Sequence, residues 1–435
     1  MSNKEATARI KINQLLEIAG WRFFADQNSP ANICLEPKVN LTTNVLVDLG
    51  ENFEKTTKGY IDFLLLDAKG APLIVLEAKS VDKSPLVGKE QARKYARSQN
   101  CRFVILSNGN LHYFWDLERG NPYLITTFPT PSSVVSYAKA KPDPSRLIDE
   151  LVEDDYIALT QRPTYAAEAG WQNEAERPAY IEKNRLRFLR PYQKKAIRKL
   201  QAAVNERKDR FLFEMATGTG KTLTSAAIIK LFLRTGNARR VLFLVDRLEL
   251  EDQAKKAFTA LLANDYKTVI YKENRDDWRH AEIVVTTVQS LLFNNKYQQL
   301  FSPTDFDLII SDEAHRSISG NARAVFEYFV GSKLGLTATP RDYLKRFGYS
   351  FDAVNNTYFD NATIPKEDEM NWQVITYPNL DFFVSLEEGK KVFLRKYEIR
   401  PGKFRFFRSH QSPLIKELFS MTRSLWVPAN LAPTP

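Results

Sequence analysis

Two carboxylates and a lysine stand close together in the stretch YIDFLLLDAKGAPLIVLEAKS, which covers residues 60–80. Two short apolar runs separated by the turn-like DAKG predict a β-hairpin. Side chains alternate along a strand, so Glu77 and Lys79 point to one face, and Asp62 on the neighbouring strand can reach the same patch. Two carboxylates can hold Mg²⁺, and an ammonium beside them can stabilise charge developing on a phosphate. The set predicts phosphodiester cleavage, with a surface ion pair between Glu77 and Lys79 as the open alternative.

The elements around this hairpin predict a small mixed α/β domain over residues 1–128. Residues 6–21 read as an amphipathic helix whose apolar face holds Ile10, Leu15, Leu16 and Ile18. After the hairpin, GKEQARKYARSQN predicts a second helix, and CRFVILSNGNLHYFWDL predicts two further strands around an Asn-Gly turn.

Gln91 and Tyr95 lie four residues apart, on one face of the second predicted helix. With Asp62 and the Glu77-Ala78-Lys79 triplet, they resemble the PD-(D/E)xK nuclease core. More narrowly, the set resembles the N-terminal domain of restriction (R) subunits of type I restriction–modification enzymes. The resemblance implies that Gln91 and Tyr95 support the site or contact DNA. The motif's opening proline is absent here, where Ile61 precedes Asp62.

A second chemical motif, ATGTGKT, covers residues 216–222 and lies between a predicted strand and an apolar-periodic helix. This context is typical of a P-loop, whose backbone amides and helix N-terminus meet phosphate charge. Gly218 and Gly220 let the backbone wrap around the phosphates, Lys221 contacts the β/γ-phosphates and Thr222 contacts Mg²⁺. The strict motif has glycine at position 215, where this chain has Met215.

Further motifs follow this loop in an ordered series. In IISDEAH, Asp312 is predicted to help hold the nucleotide's Mg²⁺, and Glu313 is predicted to activate the attacking water. With LRPYQ upstream and VLFLVDRLELEDQ, IVVTTVQSL and LGLTATP downstream, the series resembles superfamily 2 helicases of the DEAH type. The resemblance implies that Gln193 reads adenine. Alternating strands and helices predict a doubly wound, RecA-like parallel sheet over residues 186–347.

The predicted site residues follow from these motifs. Those predicted to act in catalysis are Asp62, Glu77, Lys79, Gln91, Tyr95 and Glu313, and those predicted to bind the nucleotide are Gln193, Thr217, Gly218, Thr219, Gly220, Lys221, Thr222 and Asp312. The predicted Mg²⁺ ligands are Asp62, Glu77, Thr222 and Asp312. Arg247 and residues 287–290 are candidates for gripping DNA phosphates, although Asp246 and Glu249 allow a structural ion pair with Arg247 instead.

A nuclease placed N-terminal to a DEAH motor is the order of type I R subunits. The resemblance therefore implies double-stranded DNA as substrate, ATP and Mg²⁺ as cofactors, and methyltransferase (M) and specificity (S) subunits as partners. Residues 129–185 read as a linker with helices. Residues 348–435 lack the Gln-x-x-Gly-Arg-x-x-Arg stretch of a second RecA-like domain. We therefore expect a chain truncated after the first such domain, with slow ATP turnover because an arginine finger is missing.

The composition agrees with this function without deciding it. A net charge of +10 favours a polyanionic partner, and two cysteines cannot form a disulfide framework or a cysteine-type zinc site. No stretch reaches the length of a membrane span and no signal peptide opens the chain, so we expect a cytoplasmic protein. Two alternatives stay open: a nuclease–helicase that works without M and S subunits, and a non-catalytic remnant that binds nucleotide and DNA.

Overall fold

The computed structural model describes residues 3–27, 29–40, 58–216, 218–262, 264–271, 277–314 and 321–338, and four strands between 372 and 407. The chain forms two compact units. The first consists of residues 1–142 with 297–306 and 328–330, and the second of 143–296, 307–327 and the described parts of 331–435. Both units are α/β, as the sequence predicts.

The first unit is built on a six-stranded mixed sheet. Its strands lie in the order β1-β4-β5-β6-β7-β8, and only β5 and β6 run parallel. The predicted hairpin is confirmed as β4 and β5, which pair antiparallel around a turn closed by the Asp67 carboxylate. A short ribbon of β2 and β3 stands beside the sheet. The strands are β1 (Ile33–Leu35), β2 (Lys38–Asn40), β3 (Lys58–Tyr60), β4 (Phe63–Leu66), β5 (Pro72–Ala78), β6 (Phe103–Ser107), β7 (His112–Asp116) and β8 (Tyr123–Ile125).

Helices cover this sheet through apolar faces. The first, α1 (Asn3–Ile18), buries Ala8, Ile12 and Leu16, a stripe with spacing i, i+4, i+8. The prediction that Ile10 and Ile18 belong to the buried face is wrong, because they are 59% and 82% exposed. The other helices here are a 3₁₀ turn (Pro85–Gly88), α2 (Lys89–Ser98) and α3 (Pro131–Ala138), which begins at a Thr130 cap.

The second unit holds a seven-stranded sheet that is parallel throughout, in the order β11-β12-β10-β13-β14-β9-β15. Parallel strands need crossover connections, and helices supply them on both faces. This arrangement confirms the predicted RecA-like architecture. The strands are β9 (Arg210–Glu214), β10 (Val241–Val245), β11 (Thr268–Ile270), β12 (Ile283–Thr287), β13 (Leu308–Ser311), β14 (Ser332–Thr337) and β15 (Trp372–Thr376).

The helices of the second unit begin well before its first strand. They are α4 (Pro144–Asp149), α5 (Ala158–Gln161), α6 (Ala169–Gln172), α7 (Arg177–Asn184), α8 (Pro191–Asn205), α9 (Lys221–Arg234), α10 (Leu248–Leu262), α11 (Val288–Leu292) and α13 (Ala322–Tyr328). Short 3₁₀ turns cover Tyr165–Ala167, Asp277–Arg279 and Phe293–Asn295. The helix α12 (Lys296–Leu300) falls almost entirely in the first unit.

The segment 129–185 is helical, as expected, but it is not a linker outside the cores. Val134 and Tyr137 of α3 belong to the hydrophobic core of the first unit. Leu147, Tyr156 and Ile157 belong to the core of the second. The Lys230 ammonium, on α9, is buried and donates to the Tyr156 carbonyl at 2.6 Å. The sequence obscures this packing because the segment's helices are short and their apolar positions are scattered.

Residues after 371, for which the sequence predicts no family, contain four described strands. The strand β15 extends the parallel sheet beside β9. The other three, β16 (Phe382–Glu387), β17 (Lys390–Arg400) and β18 (Lys403–Phe407), form an antiparallel sheet of their own.

Candidate functional site

The first candidate site, here called the carboxylate–lysine site, consists of Asp62, Glu77 and Lys79. Asp62 directly precedes β4, and its Oδ2 accepts a hydrogen bond from the Ala78 N–H at 2.8 Å. Lys79 follows β5, where its own N–H donates to the Ser107 carbonyl. Lys79 Nζ donates to Glu77 Oε1 at 2.7 Å. The pleat of one strand and the end of its neighbour therefore bring the three predicted side chains together.

Burial controls the electrostatics of this site. Glu77 is only 3% exposed, and this desolvation, together with the nearby Asp62 charge, raises its pKa to about 7 despite the Lys79 ammonium. Desolvation also raises the pKa of Asp62, against the opposing effects of the Ala78 hydrogen bond and the Arg9 charge. Two carboxyl groups that resist ionisation are poised to gain from a nearby cation.

The donor set fits a hard divalent cation. Glu77 Oε2 is buried and has no hydrogen-bond partner within the part of the chain that the structure describes. A buried carboxylate oxygen without a donor is costly unless a cation satisfies it. Among the described residues, no group of three or more His, Cys, Asp or Glu side chains is arranged so that it could hold a metal ion. Asp62 and Glu77 would therefore share a cation such as Mg²⁺ with water, which this ion commonly retains.

Gln91 and Tyr95 approach this site from α2, as their spacing predicts. Lys79 Nζ lies 3.5 Å from Gln91 Oε1, and Gln91 Nε2 donates to the Tyr95 hydroxyl at 3.2 Å. Burial raises the pKa of Tyr95, which keeps its hydroxyl protonated. The amide thus links the lysine to the tyrosine in one chain of polar contacts.

Two neighbours of this site escape the sequence patterns. Arg9 Nη2, on α1, donates to Asp62 Oδ1 at 2.5 Å. A Cβ atom on Gly88 would lie 2.7 Å from Lys79 Cε and 3.0 Å from Glu77 Cγ, so glycine leaves the space that the lysine fills. Neither residue belongs to a recognisable motif, and Arg9 lies 53 positions before Asp62.

The second candidate site, here called the P-loop site, lies between β9 and α9. Gly218 and Gly220 have φ angles of 79° and 82°, in the left-handed region that favours glycine. This turn brings the chain to Lys221, the first residue of α9. Lys221 Nζ donates to Glu313 Oε1 at 2.5 Å, which joins residues 92 positions apart at one edge of the parallel sheet.

The remaining predicted nucleotide residues lie around this pair, as far as they are described. Asp312 follows β13, and its Oδ1 accepts the Glu313 N–H at 3.0 Å. Desolvation raises the pKa of Asp312, while the Lys221 charge opposes that shift. Thr222 is exposed in the first turn of α9, and the Thr219 hydroxyl donates to the Ala216 carbonyl. Thr217 lies outside the described residues.

Gln193 lies beneath the loop rather than in the open. It is 1% exposed, and its Nε2 donates to the carbonyls of Thr219 and Gly220 at 3.1 and 3.2 Å. Its Oε1 accepts the Arg190 N–H at 2.9 Å. Every polar atom of this amide therefore meets backbone, so in this structure Gln193 braces the loop. Its reading of adenine stays a prediction.

The residues predicted to contact DNA phosphates differ in their exposure and in their hydrogen-bond partners. Arg247 is exposed, with its Nε 3.7 Å from Asp246 Oδ2, so the structural ion pair that the sequence allows is present in loose form. Thr287 is buried, its hydroxyl accepts the Ser290 N–H at the start of α11, and its own N–H donates to Glu251 Oε1. Gln289 is exposed and Ser290 half-buried.

Two known protein families match this chain, one over the region of the carboxylate–lysine site and one over the region of the P-loop site. Residues 37–129 match the family described as the type I restriction enzyme R protein N terminus, and residues 187–342 match the family described as the type III restriction enzyme res subunit. The chain is similar to type I restriction subunits. This confirms the resemblance that the sequence motifs indicate.

The individual proteins to which this chain is similar match it over different lengths. The EcoAI endonuclease subunit of Escherichia coli is 28% identical over 319 residues, which cover 71% of this chain and 36% of the relative. The EcoKI endonuclease subunit of Escherichia coli K12 is 33% identical over 180 residues, 35% of this chain and 15% of the relative. A solved fragment described as an HsdR subunit from Vibrio vulnificus YJ016 is 24% identical to this chain. The match covers 80% of this chain and 57% of the fragment, with a TM-score of 0.28.

The chain thus spans about a third of the length of the EcoAI subunit. Within the part of the chain that the structure describes, no helix is long and apolar enough to cross a membrane.

Proposed function

We propose that this chain acts as the restriction subunit of a type I restriction–modification system, cutting double-stranded DNA with Mg²⁺ and driving translocation by ATP hydrolysis. The observation that carries the proposal is the buried Glu77 carboxylate, whose Oε2 has no hydrogen-bond partner among the residues that the structure describes, while Asp62 and Lys79 stand beside it. A buried carboxylate oxygen without a donor is costly, and a bound cation would offset that cost. The similarity to type I subunits supports the same conclusion.

In the proposed endonuclease domain, residues 1–128, Asp62 and Glu77 would hold the Mg²⁺. When bound there, the ion would supply Lewis-acid activation of the phosphate and of a water. Lys79 places its ammonium where negative charge develops on the phosphate, and its 2.7 Å contact to Glu77 keeps it in that position. Gln91 positions Lys79 from the helix side, and Tyr95 holds Gln91.

In the proposed motor domain, residues 186–347, the loop carries the phosphate site. The backbone amides around Gly218 and Gly220 and the N-terminus of α9 attract the phosphates, and Lys221 leaves Glu313 to neutralise the β/γ-phosphates. Thr222 and Asp312 would hold the nucleotide's Mg²⁺. Once Lys221 contacts the phosphates, the Glu313 carboxylate would orient the attacking water.

The type I assignment also implies partners and a place of action. M and S subunits would supply site recognition, and the complex would act on DNA in the cytoplasm. Arg247, Gln289 and Ser290 are the accessible candidates for DNA contact near the motor.

The decisive experiment is a cleavage assay on supercoiled plasmid, with purified chain, M and S subunits, ATP and Mg²⁺. Parent protein should nick or linearise the plasmid, and Asp62→Ala should not, while both bind a fluorescent ATP analogue equally. Cleavage without M and S subunits would favour the stand-alone nuclease–helicase. Nucleotide and DNA binding without cleavage under any condition would favour the non-catalytic remnant.

A further inference from the structure

A guanidinium already occupies one oxygen of Asp62. Arg9 Nη2 donates to Asp62 Oδ1 at 2.5 Å, and the two side chains are 20% and 19% exposed. The other oxygen, Oδ2, accepts the Ala78 N–H at 2.8 Å, a bond fixed by the backbone at the end of β5. Both oxygens therefore have a donor, but only the Arg9 donor belongs to a side chain that can move.

Arg9 also has a second carboxylate within reach. Its Nη1 donates to Glu36 Oε1 at 2.7 Å, and the Glu36 side chain is 52% exposed. Arg9 Nε is buried and has no hydrogen-bond partner within the described residues, so the guanidinium is not locked by all of its donors. The charge of Glu5, also on α1, adds to the negative field around Arg9.

The backbone holds Glu36 in place for this contact. Glu36 has a φ of 47°, in the left-handed region that disfavours any residue other than glycine. Its N–H donates to the Asp62 carbonyl at 3.2 Å, which ties the residue to the peptide of Asp62 itself. A strained residue anchored to the site, with its carboxylate on the same guanidinium, indicates a constraint beyond packing.

We propose that Arg9 is an exchangeable counterion of Asp62, which neutralises that carboxylate when no divalent cation is bound and shifts onto Glu36 when a cation binds. Arg9 and Glu36 are positioning residues: neither would touch the substrate, and both set how easily Asp62 accepts the ion. The inference rests on the proposed nuclease function, because it assumes that Asp62 is a cation ligand.

Mn²⁺ binding to the full chain, measured by electron paramagnetic resonance in nucleotide-free buffer, tests this directly. The signal lost in Asp62→Asn defines binding at this site. Arg9→Gln should bind Mn²⁺ roughly three- to tenfold more tightly than the parent, since the competing cation is gone. Lys4→Gln makes the same charge change on the same helix, and Lys4 pairs with Asp82 instead. That control should stay within about twofold of the parent if the effect is local.

The double variant tests the role of Glu36. Glu36→Gln should weaken Mn²⁺ binding when Arg9 is present, because the guanidinium then has no second carboxylate. In the Arg9→Gln background the same change should have no effect. A purely structural role for Glu36 would give equal effects in both backgrounds and would overturn the exchange. Should Arg9→Gln fail to fold, Arg9→Met, which removes the charge and keeps an unbranched apolar stem, carries the same cycle.

The outcomes separate this inference from the proposed function. Equal or weaker Mn²⁺ binding in Arg9→Gln, with the parent still binding the ion, overturns the exchange and leaves the nuclease assignment standing. No Mn²⁺ binding in the parent or in Arg9→Gln, with no DNA cleavage, overturns both.

Discussion

The carboxylate–lysine site and the P-loop site each join a lysine to a glutamate, but the two pairs arise from different chain geometry. Glu77 and Lys79 lie two positions apart at the end of β5. Lys221 opens α9 while Glu313 follows β13, and their side chains meet across 92 positions. The first pair depends on the pleat of a single strand. The second depends on parallel strands that end at one edge of a sheet.

The two sites also differ in how they are supported. The Glu77 side chain is 3% exposed and the Glu313 side chain 28%, so desolvation shapes the first site far more than the second. Side chains from α1 and α2 surround the first site. In the P-loop site, Gln193 and Tyr192 donate hydrogen bonds to backbone carbonyls of the loop and so hold it in place. Side-chain changes should therefore alter the chemistry of the first site most, and backbone-directed changes should alter the second.

The largest expected effect is on DNA cleavage. Lys79→Ala removes the ammonium that faces Glu77 and Gln91, and cleavage should fall by about 10³-fold, the scale for losing one charge-stabilising donor. Binding of ATP should be unchanged, because the P-loop site has its own lysine. Lys83→Ala, an exposed lysine four positions later, is the matched control and should cleave like the parent. Parent-like cleavage by Lys79→Ala would place the active site elsewhere.

The next effect concerns stability and its dependence on pH. Folding raises the pKa of Glu77 from 4.5 to about 7, so the folded state binds the proton more tightly than the unfolded chain does. The stabilising contribution of Glu77 to the free energy of unfolding is therefore complete below pH 4.5 and is lost as the pH rises to about 7. The total change is about 3 kcal/mol. Glu77→Gln should abolish that slope in metal-free buffer and leave the protein more stable at pH 8.

Hydrogen exchange of the β5 amides between pH 4.5 and 8, corrected for intrinsic rates, measures this difference. Glu17→Gln changes an exposed glutamate on α1 and should keep the parental slope. If the parent and Glu77→Gln show the same dependence on pH, desolvation does not govern the carboxylate–lysine site and the contrast with the P-loop site disappears.

The third effect lies in the P-loop site. Lys221→Ala should weaken binding of a fluorescent ATP analogue roughly 10- to 100-fold, the value of a hydrogen bond to a charged group. It also removes the Lys221–Glu313 ion pair, and this change does not compensate for the lost phosphate contact. Lys183→Ala, on the exposed side of α7, is the control. Unchanged nucleotide affinity in Lys221→Ala would show that the backbone loop alone binds the phosphates.

How well the sequence predicts each site depends on how far apart its residues lie along the chain. The Glu77–Lys79 spacing, the Gln91–Tyr95 spacing and the glycines of the loop are local patterns, and alternation or helical periodicity places each of them. Arg9 cannot be found this way, because only the tertiary position of α1 brings it to Asp62.

Two other features escape local patterns for related reasons. Gln193 is recognisable as a motif residue, but its burial beneath the loop depends on how α8 packs against the P-loop. The segment 143–185 joins the second core through single buried residues, such as Leu147 and Ile157, which form no long periodic face. Pairwise contacts made across the fold carry no signal in the spacing of one sequence.

The smallest expected effect concerns a glycine beside the carboxylate–lysine site. Gly88 has φ −84° and ψ 2°, a conformation open to any residue, so its role is the space it leaves rather than its backbone freedom. A Cβ there would meet Lys79 Cε at 2.7 Å, and the flexible end of the lysine would have to move. Gly88→Ala should therefore lower DNA cleavage about tenfold through misplacement of the ammonium, while its melting temperature changes little.

Gly220→Ala provides the contrasting case in the P-loop site. Its φ of 82° disfavours any side chain, and the added Cβ would lie 2.5 Å from Nε2 of the buried Gln193, which cannot swing away. That variant should lose about 1–2 kcal/mol of stability as well as nucleotide affinity. Thermal denaturation and cleavage, measured on both variants, decide the point. A large drop in melting temperature for Gly88→Ala would mean that Lys79 is as rigidly packed as Gln193, and that the carboxylate–lysine site is held by its backbone after all.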